Sequence, residues 1–147
     1  MTRDEYIVAV DTVLQPRTRD AAAVLGHALK LLPAKTRSVE LMIFVDDDGE
    51  GFLNVQVYLE GPDLFILNKA IAEYCSLFSV TMQESGFEPP LPLMCSSTDF
   101  SVCDVLTDCA AKWLRSVWQH TEKGDLSLPV FVYAHLDYGS IPPMKLN

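Results

Sequence analysis

The chain has 147 residues, 49% of them hydrophobic, with 20 acidic and 11 basic side chains and a formal net charge of −9. That length suits one globular domain burying roughly 68–70% of its unfolded surface, and near-average apolar, charged and Pro+Gly contents exclude collagen-like, coiled-coil and disordered classes. The acidic balance opposes adhesion to nucleic acid or an anionic membrane and favours a basic partner.

Residues 4–32 read as helical, with Tyr6, Ile7, Val10, Val13 and Leu14 at helical spacing. Pro16 disfavours helix at Gln15, and Thr18 is a good N-cap for a second segment carrying Ala22, Leu25, Ala28 and Leu31 before Pro33. The result is a helical hairpin or one kinked helix.

The period then changes to two. "SVELMIFVDDDGEGFLNVQVYLEG" holds two β-branched and aromatic runs around an acidic glycine turn, which predicts a hairpin over about 38–46 and 51–60. A two-residue Asp48-Gly49 loop would set Ile43 opposite Asn54, mixing polar with apolar on the buried face. A three-residue loop, Asp47-Asp48-Gly49, pairs Ile43 with Leu53, Leu41 with Val55 and Val39 with Val57, with Gly49 left-handed in a bulged turn. The reverse face carries Met42, Phe44 and Phe52 beside Glu40, Asn54, Gln56 and Tyr58, so something is expected to cover part of it, most simply another chain segment.

"GPDLFILNKAIAEYCSLFS" predicts a helix over 64–78 capped by Asp63, with Leu67, Ala70, Ile71, Tyr74 and Phe78 as its stripe. A short strand at 79–83 and a Gly/Pro-containing loop over 84–100 follow. Ser101 and Asp104 resemble a capping box opening a helix over 102–121, striped by Val102, Val105, Leu106, Cys109, Trp113 and Val117. "LPVFVYAHLDYG" predicts a last strand over 128–136, before a proline-extended tail. This order lacks βαβ alternation and any long repeat, so the expected fold is a single α+β domain, an antiparallel or mixed sheet with helices packed on it.

No motif of established chemistry appears. With Gly49 at position 6 of an EF-hand loop, position 1 is Phe44 and position 12 is Val55, neither of which ligates calcium. A weaker cation site from Asp46, Asp48 and Glu50 would relieve the repulsion of Asp46 facing Glu50 in the expected register. No CxxC, HxH or HExxH supports zinc, and Gly49-Glu50-Gly51 is no phosphate loop. No metal and no cofactor are expected. Among the four cysteines, Cys75 and Cys109 sit on or beside apolar stripes, while Cys95 lies in the long loop where a nucleophile could use His120 or His135 as base. Trp118 lies off its helix's stripe, either packing in a second layer or anchoring an interface.

Charge is the stronger signal. Residues 1–37 hold 6 basic and 4 acidic side chains, 38–104 hold 1 and 12, and 105–147 hold 4 of each. Lys69 is the sole cation of the middle segment, whose carboxylates face water or something cationic. No stretch is apolar for the ~18 residues of a membrane span and no export pattern opens the chain, so a soluble cytoplasmic protein with reduced thiols is expected.

Three functional classes fit. The first is an acidic, non-enzymatic protein-binding domain, such as an immunity or inhibitor protein against a basic nuclease toxin, using Asp46, Asp48, Glu50 and Trp118. The second is a small enzyme built on Cys95. The third is a homodimer with a structural or ligand-carrying role, associating through the face of Met42, Phe44 and Phe52.

Overall fold

The computed structural model describes residues 1–46, 52–92 and 100–147. One five-stranded mixed sheet carries three long helices on one face, in agreement with the α+β expectation.

The N-terminal helical region is two helices in tandem. Helix α1, Arg3–Leu14, is capped by Thr2, whose hydroxyl accepts from the Glu5 amide at 3.2 Å, with Asp4 and Glu5 favourably placed in the first turn. Pro16 sits in the 3-10 turn Gln15–Arg17, and α2 runs Thr18–Lys30. Thr18 is not the N-cap. It is the first helical residue, buried, with its hydroxyl donating to the Gln15 carbonyl at 2.9 Å and accepting from the Trp113 indole at 3.1 Å.

Strands β1, Ser38–Val45, and β2, Leu53–Glu60, form the expected antiparallel pair, in a different register. Val39 faces Leu59, Leu41 faces Val57, Ile43 faces Val55 and Val45 faces Leu53, two residues from the predicted alignment. An even shift keeps every side chain on its own face, so Val39, Leu41, Ile43 and Val45 are still buried with Leu53, Val55, Val57 and Leu59. The apolar pattern dictates only the parity of the register. The three-residue turn was the premise for the rest, and its Asp47, Asp48 and Gly49 lie outside the described residues.

The predicted helix over 64–78 is a correction. Helix α3 is only Leu64–Lys69, a 3-10 turn covers Ala72–Tyr74, and Ser76–Ser79 is an edge strand, β3, antiparallel to β2 across a bulge at Val55/Gln56. Asp63 holds the cap position with a left-handed backbone but makes no side-chain cap bond. The physical reason is β2's open edge. The Val57 amide donates to the Cys75 carbonyl at 2.7 Å and the Val80 amide to the Leu53 carbonyl at 3.1 Å, bonds a continued helix could not offer. Farther along that edge the Asn68 side chain takes over, accepting from the Leu59 amide at 2.9 Å and donating to its carbonyl at 3.1 Å.

Two short strands, β4 (Thr81–Gln83) and β5 (Gly86–Glu88), pair as a hairpin that occupies the start of the predicted loop over 84–100. Helix α4, Val102–His120, is capped by Ser101, which accepts from the Asp104 amide at 3.3 Å. The reciprocal half of the capping box is missing because the Asp104 carboxylate accepts instead from the Gly139 amide at 2.7 Å. Strand β6, Val130–Ala134, runs parallel to β1, and the tail contributes a further antiparallel strand, β7 (Met144–Lys145), giving the order β3-β2-β1-β6-β7.

Helix α4 packs on β1 and β6, while α1 and α2 pack on α4 and α2 reaches β3. Being contacted from several sides, α4 buries a wider arc than its predicted stripe, including Ala110, Ala111, Leu114 and Trp118. Among the described residues the bulk of the core lies between the helices and the inner face of the sheet.

Candidate functional site

The other face of the sheet has no long helix across it among the described residues. Its rows follow from strand alternation: Asn54, Gln56, Tyr58 and Glu60 on β2; Glu40, Met42 and Phe44 on β1; Phe131 and Tyr133 on β6. Aromatic rings dominate the middle. Phe44 meets Tyr58 edge-on with centroids 6.3 Å apart and lies 5.1 Å from the His135 ring, while Phe131 and Tyr133 are 5.7 Å apart.

Among the described residues α3 reaches this face at its β2 margin, and His135 reaches it beside Phe44. Leu64 and Phe65 wall a groove of about 450 Å³ whose floor is Met42, Phe44 and Tyr58. Leu64, Phe65 and Ile66 are 50%, 80% and 66% exposed, and Tyr58 is 40% exposed. Among the described residues, the expected cover by another chain segment comes from α3 and from His135.

Two carboxylates enter the groove and no lysine or arginine lines it. Glu40 stands opposite Tyr58, and Glu60 is two residues on from Tyr58, so the pair is diagonal across the β1–β2 ladder. Partial burial, and after it the negative charge of Glu60, push the Glu40 carboxyl above its ordinary range. Such a site gains from a positive charge between the two groups.

The residues expected to bind are distributed differently. Asp46 follows β1, half-buried, and its backbone carbonyl accepts from the Cys103 thiol at 3.1 Å. Asp48 and Glu50 lie outside the described residues, as does Cys95. The β1–β2 ladder ends at Val45 opposite Leu53, in a register other than the one that would set Asp46 against Glu50. Trp118 as an exposed anchor is a correction: it is 7% exposed, with the Lys123 ammonium 4.8 Å from its ring centroid. The crowding of α4 from several sides takes it into a second packing layer.

The histidines and thiols are also placed. His135 closes one end of the groove beside Phe44, His120 contacts the Ser116 carbonyl at 2.9 Å, and His27 stacks on Tyr74 at 4.9 Å. Cys103 and Cys109 are buried, and Cys75 is half-buried. Burial foremost pushes the Cys109 thiol up to about 11, which keeps it protonated and unreactive at neutral pH. Among the described residues no group of three or more histidine, cysteine, aspartate or glutamate side chains could hold a metal ion, and no helix is long and apolar enough to cross a membrane.

The sequence signal for the groove was present in part. Met42, Phe44 and Tyr58 on the reverse face of the hairpin pointed to it, but Glu40 and Glu60 as a pair, and Phe65 as a wall, did not. Phe65 read as one residue of a longer helix, and only the folded chain shows that it lies beside the sheet.

No curated protein and no solved structure matches the chain. A family model does match, over residues 1–147, and the chain belongs to that family, DUF6389, a family of unknown function.

Proposed function

We propose that this domain is a non-enzymatic binding module for a basic protein, of the kind an inhibitor or immunity protein presents to a cationic nuclease toxin. The observation that carries this reading is the charge of residues 38–104, 12 acidic against 1 basic, on a segment that also supplies β1, β2 and α3 around the aromatic groove. A field of one sign beside an apolar patch suits recognition of an opposite field, speeding association and rejecting acidic partners. The carboxylates of Asp46, Asp48 and Glu50 belong to that field. A cytoplasmic setting agrees with the thiols of Cys75, Cys103 and Cys109.

The test is binding to purified cationic nuclease domains, including any basic protein encoded beside this one, over a salt series. Affinity should fall at least tenfold between low and physiological salt, as expected for pairing of exposed charges, and fall again in the Asp46→Asn/Asp48→Asn/Glu50→Gln variant. Salt-independent binding, or an unaffected triple variant, would count against the acidic field as the recognition surface.

A further inference from the structure

We propose that the groove between α3 and the open sheet face is the docking point for a peptide segment of the basic partner, with one lysine or arginine seated between Glu40 and Glu60 and apolar neighbours on Phe44, Tyr58 and Phe65. This rests on the preceding reading and locates its contact. The acidic hairpin turn supplies long-range attraction; the groove supplies the short-range fit.

Charge complementarity selects the occupant. The lining offers two carboxylates on a ladder diagonal with no lysine or arginine among them, and among the described residues neither carboxylate takes part in an ion pair. A cation there gains from both, and from the ring of Tyr58, which stands directly opposite Glu40, an arrangement known to favour ammonium and guanidinium groups. The partial desolvation of Glu40 strengthens that attraction, because an ion pair away from bulk water is screened less.

A second copy of this chain is a poor fit for the same reason. Its net charge is −9, and an isologous contact through this face would bring Glu40 and Glu60 of one copy toward those of the other. A free small amine would fill the space between the carboxylates but leave Leu64, Phe65 and Ile66, and the aromatic strip of Phe131 and Tyr133, uncovered. A polypeptide covers both. Its cationic side chain enters the groove while flanking apolar residues lie on the strip, the usual anatomy of an anchored interface with an apolar centre.

The experiment uses the full chain and two synthetic peptides: one with a central lysine flanked by leucines, and its neutral analogue with norleucine at that position. Backbone amide shifts are followed by NMR up to about 1 mM peptide, the range of weak but specific contacts. The lysine peptide should give saturable shifts at Phe44, Tyr58, Phe65 and His135. The neutral analogue should bind at least tenfold more weakly, and the Glu40→Gln/Glu60→Gln variant should lose that preference while keeping a wild-type spectrum elsewhere. Asp125→Asn, in the exposed turn after α4 and outside the acidic segment, should bind as wild type.

Absence of saturable shifts, equal affinity for both peptides, or shifts confined to other surfaces would overturn the proposal. So would equal binding of tetramethylammonium and the lysine peptide, which assigns the groove to a small amine, or concentration-dependent self-association mapping to these residues, which assigns it to a second copy. A basic protein that binds the Glu40→Gln/Glu60→Gln variant unchanged but not the Asp46→Asn/Asp48→Asn/Glu50→Gln variant overturns the groove alone. Failure of every basic protein to bind wild type removes the binding-module reading as well.

Discussion

Gly139 is held where an added methyl group has no room. Its backbone has φ +86°, and a Cβ there would come 2.7 Å from Asp108 Oδ1 and 2.9 Å from Thr107 Cγ2. The close approach exists because two acidic residues one turn apart on α4 hold the 139–141 segment. Asp104 accepts from the Gly139 amide, and Asp108 accepts from the amides of Ser140 and Ile141 and from the Ser140 hydroxyl. Gly139→Ala combines backbone strain with a clash against fixed groups, so a loss of about 2–4 kcal/mol is expected. Thermal unfolding should show it as a fall of about 5–12 °C; a drop under about 2 °C would mean the segment relaxes freely. In the sequence Asp104 reads as the partner of Ser101 in a capping box and Asp108 as an ordinary helix charge, and nothing local marks them as acceptors for a loop some 30 residues on. Only the return of the chain past α4 gives them donors.

At the scale of elements, the end of α3 is the instructive case. An apolar stripe through Leu67, Ile71, Tyr74 and Phe78 is consistent with helix, and periodicity alone continues it to residue 78. The chain leaves the helix because β2 has amides and carbonyls to satisfy, and β3 satisfies them. Leu67 and Ile71 are still buried, and so is Phe78, but by a strand side chain in edge contact with Trp113 at 5.9 Å. Asn68 completes the edge where β3 has not reached. Asn68→Ala leaves the Leu59 amide and carbonyl without that partner, for a cost of about 1–3 kcal/mol. Hydrogen exchange should locate it, with the Leu59 amide losing protection while those of Val39 and Ile43 keep theirs beyond the global change. Uniform loss of protection would instead mean that Asn68 supports the whole sheet.

For the whole molecule, the distribution of charge has a consequence for stability. Glu40 is held above its ordinary range when folded, so the native state binds its proton more tightly than the unfolded chain does. Its contribution is therefore fully present below the unfolded value of about 4.3 and is lost as pH rises through the folded one. At pH 7 the ionised pair Glu40–Glu60 opposes folding. Glu40→Gln should melt about 1–2 °C above wild type at pH 7, a gap suited to one partly exposed repulsion, and the gap should close by about pH 3. A variant less stable than wild type at neutral pH would show that Glu40 makes a favourable contact instead. Retaining a destabilising carboxylate on an open face agrees with a role in binding.

The division between local and tertiary information is sharp in this chain. The cap at Ser101, the stripe of α4, the break at Pro16 and the inward faces of β1 and β2 are all legible in the sequence. Each depends on neighbours within a turn or on alternation along one strand. The α+β class follows from their order. The tertiary structure alone decides the exact pairing of β1 with β2, the parallel seat of β6 beside β1, the conversion of 76–79 to a strand, and the burial of Trp118. It also decides the groove, because Glu40, Glu60 and Phe65 are brought together only by the alignment of β1 with β2 and the seat of α3 beside them. Backbone groups on an open strand edge must find partners wherever the chain can supply them, and that demand acts across the fold rather than along the sequence.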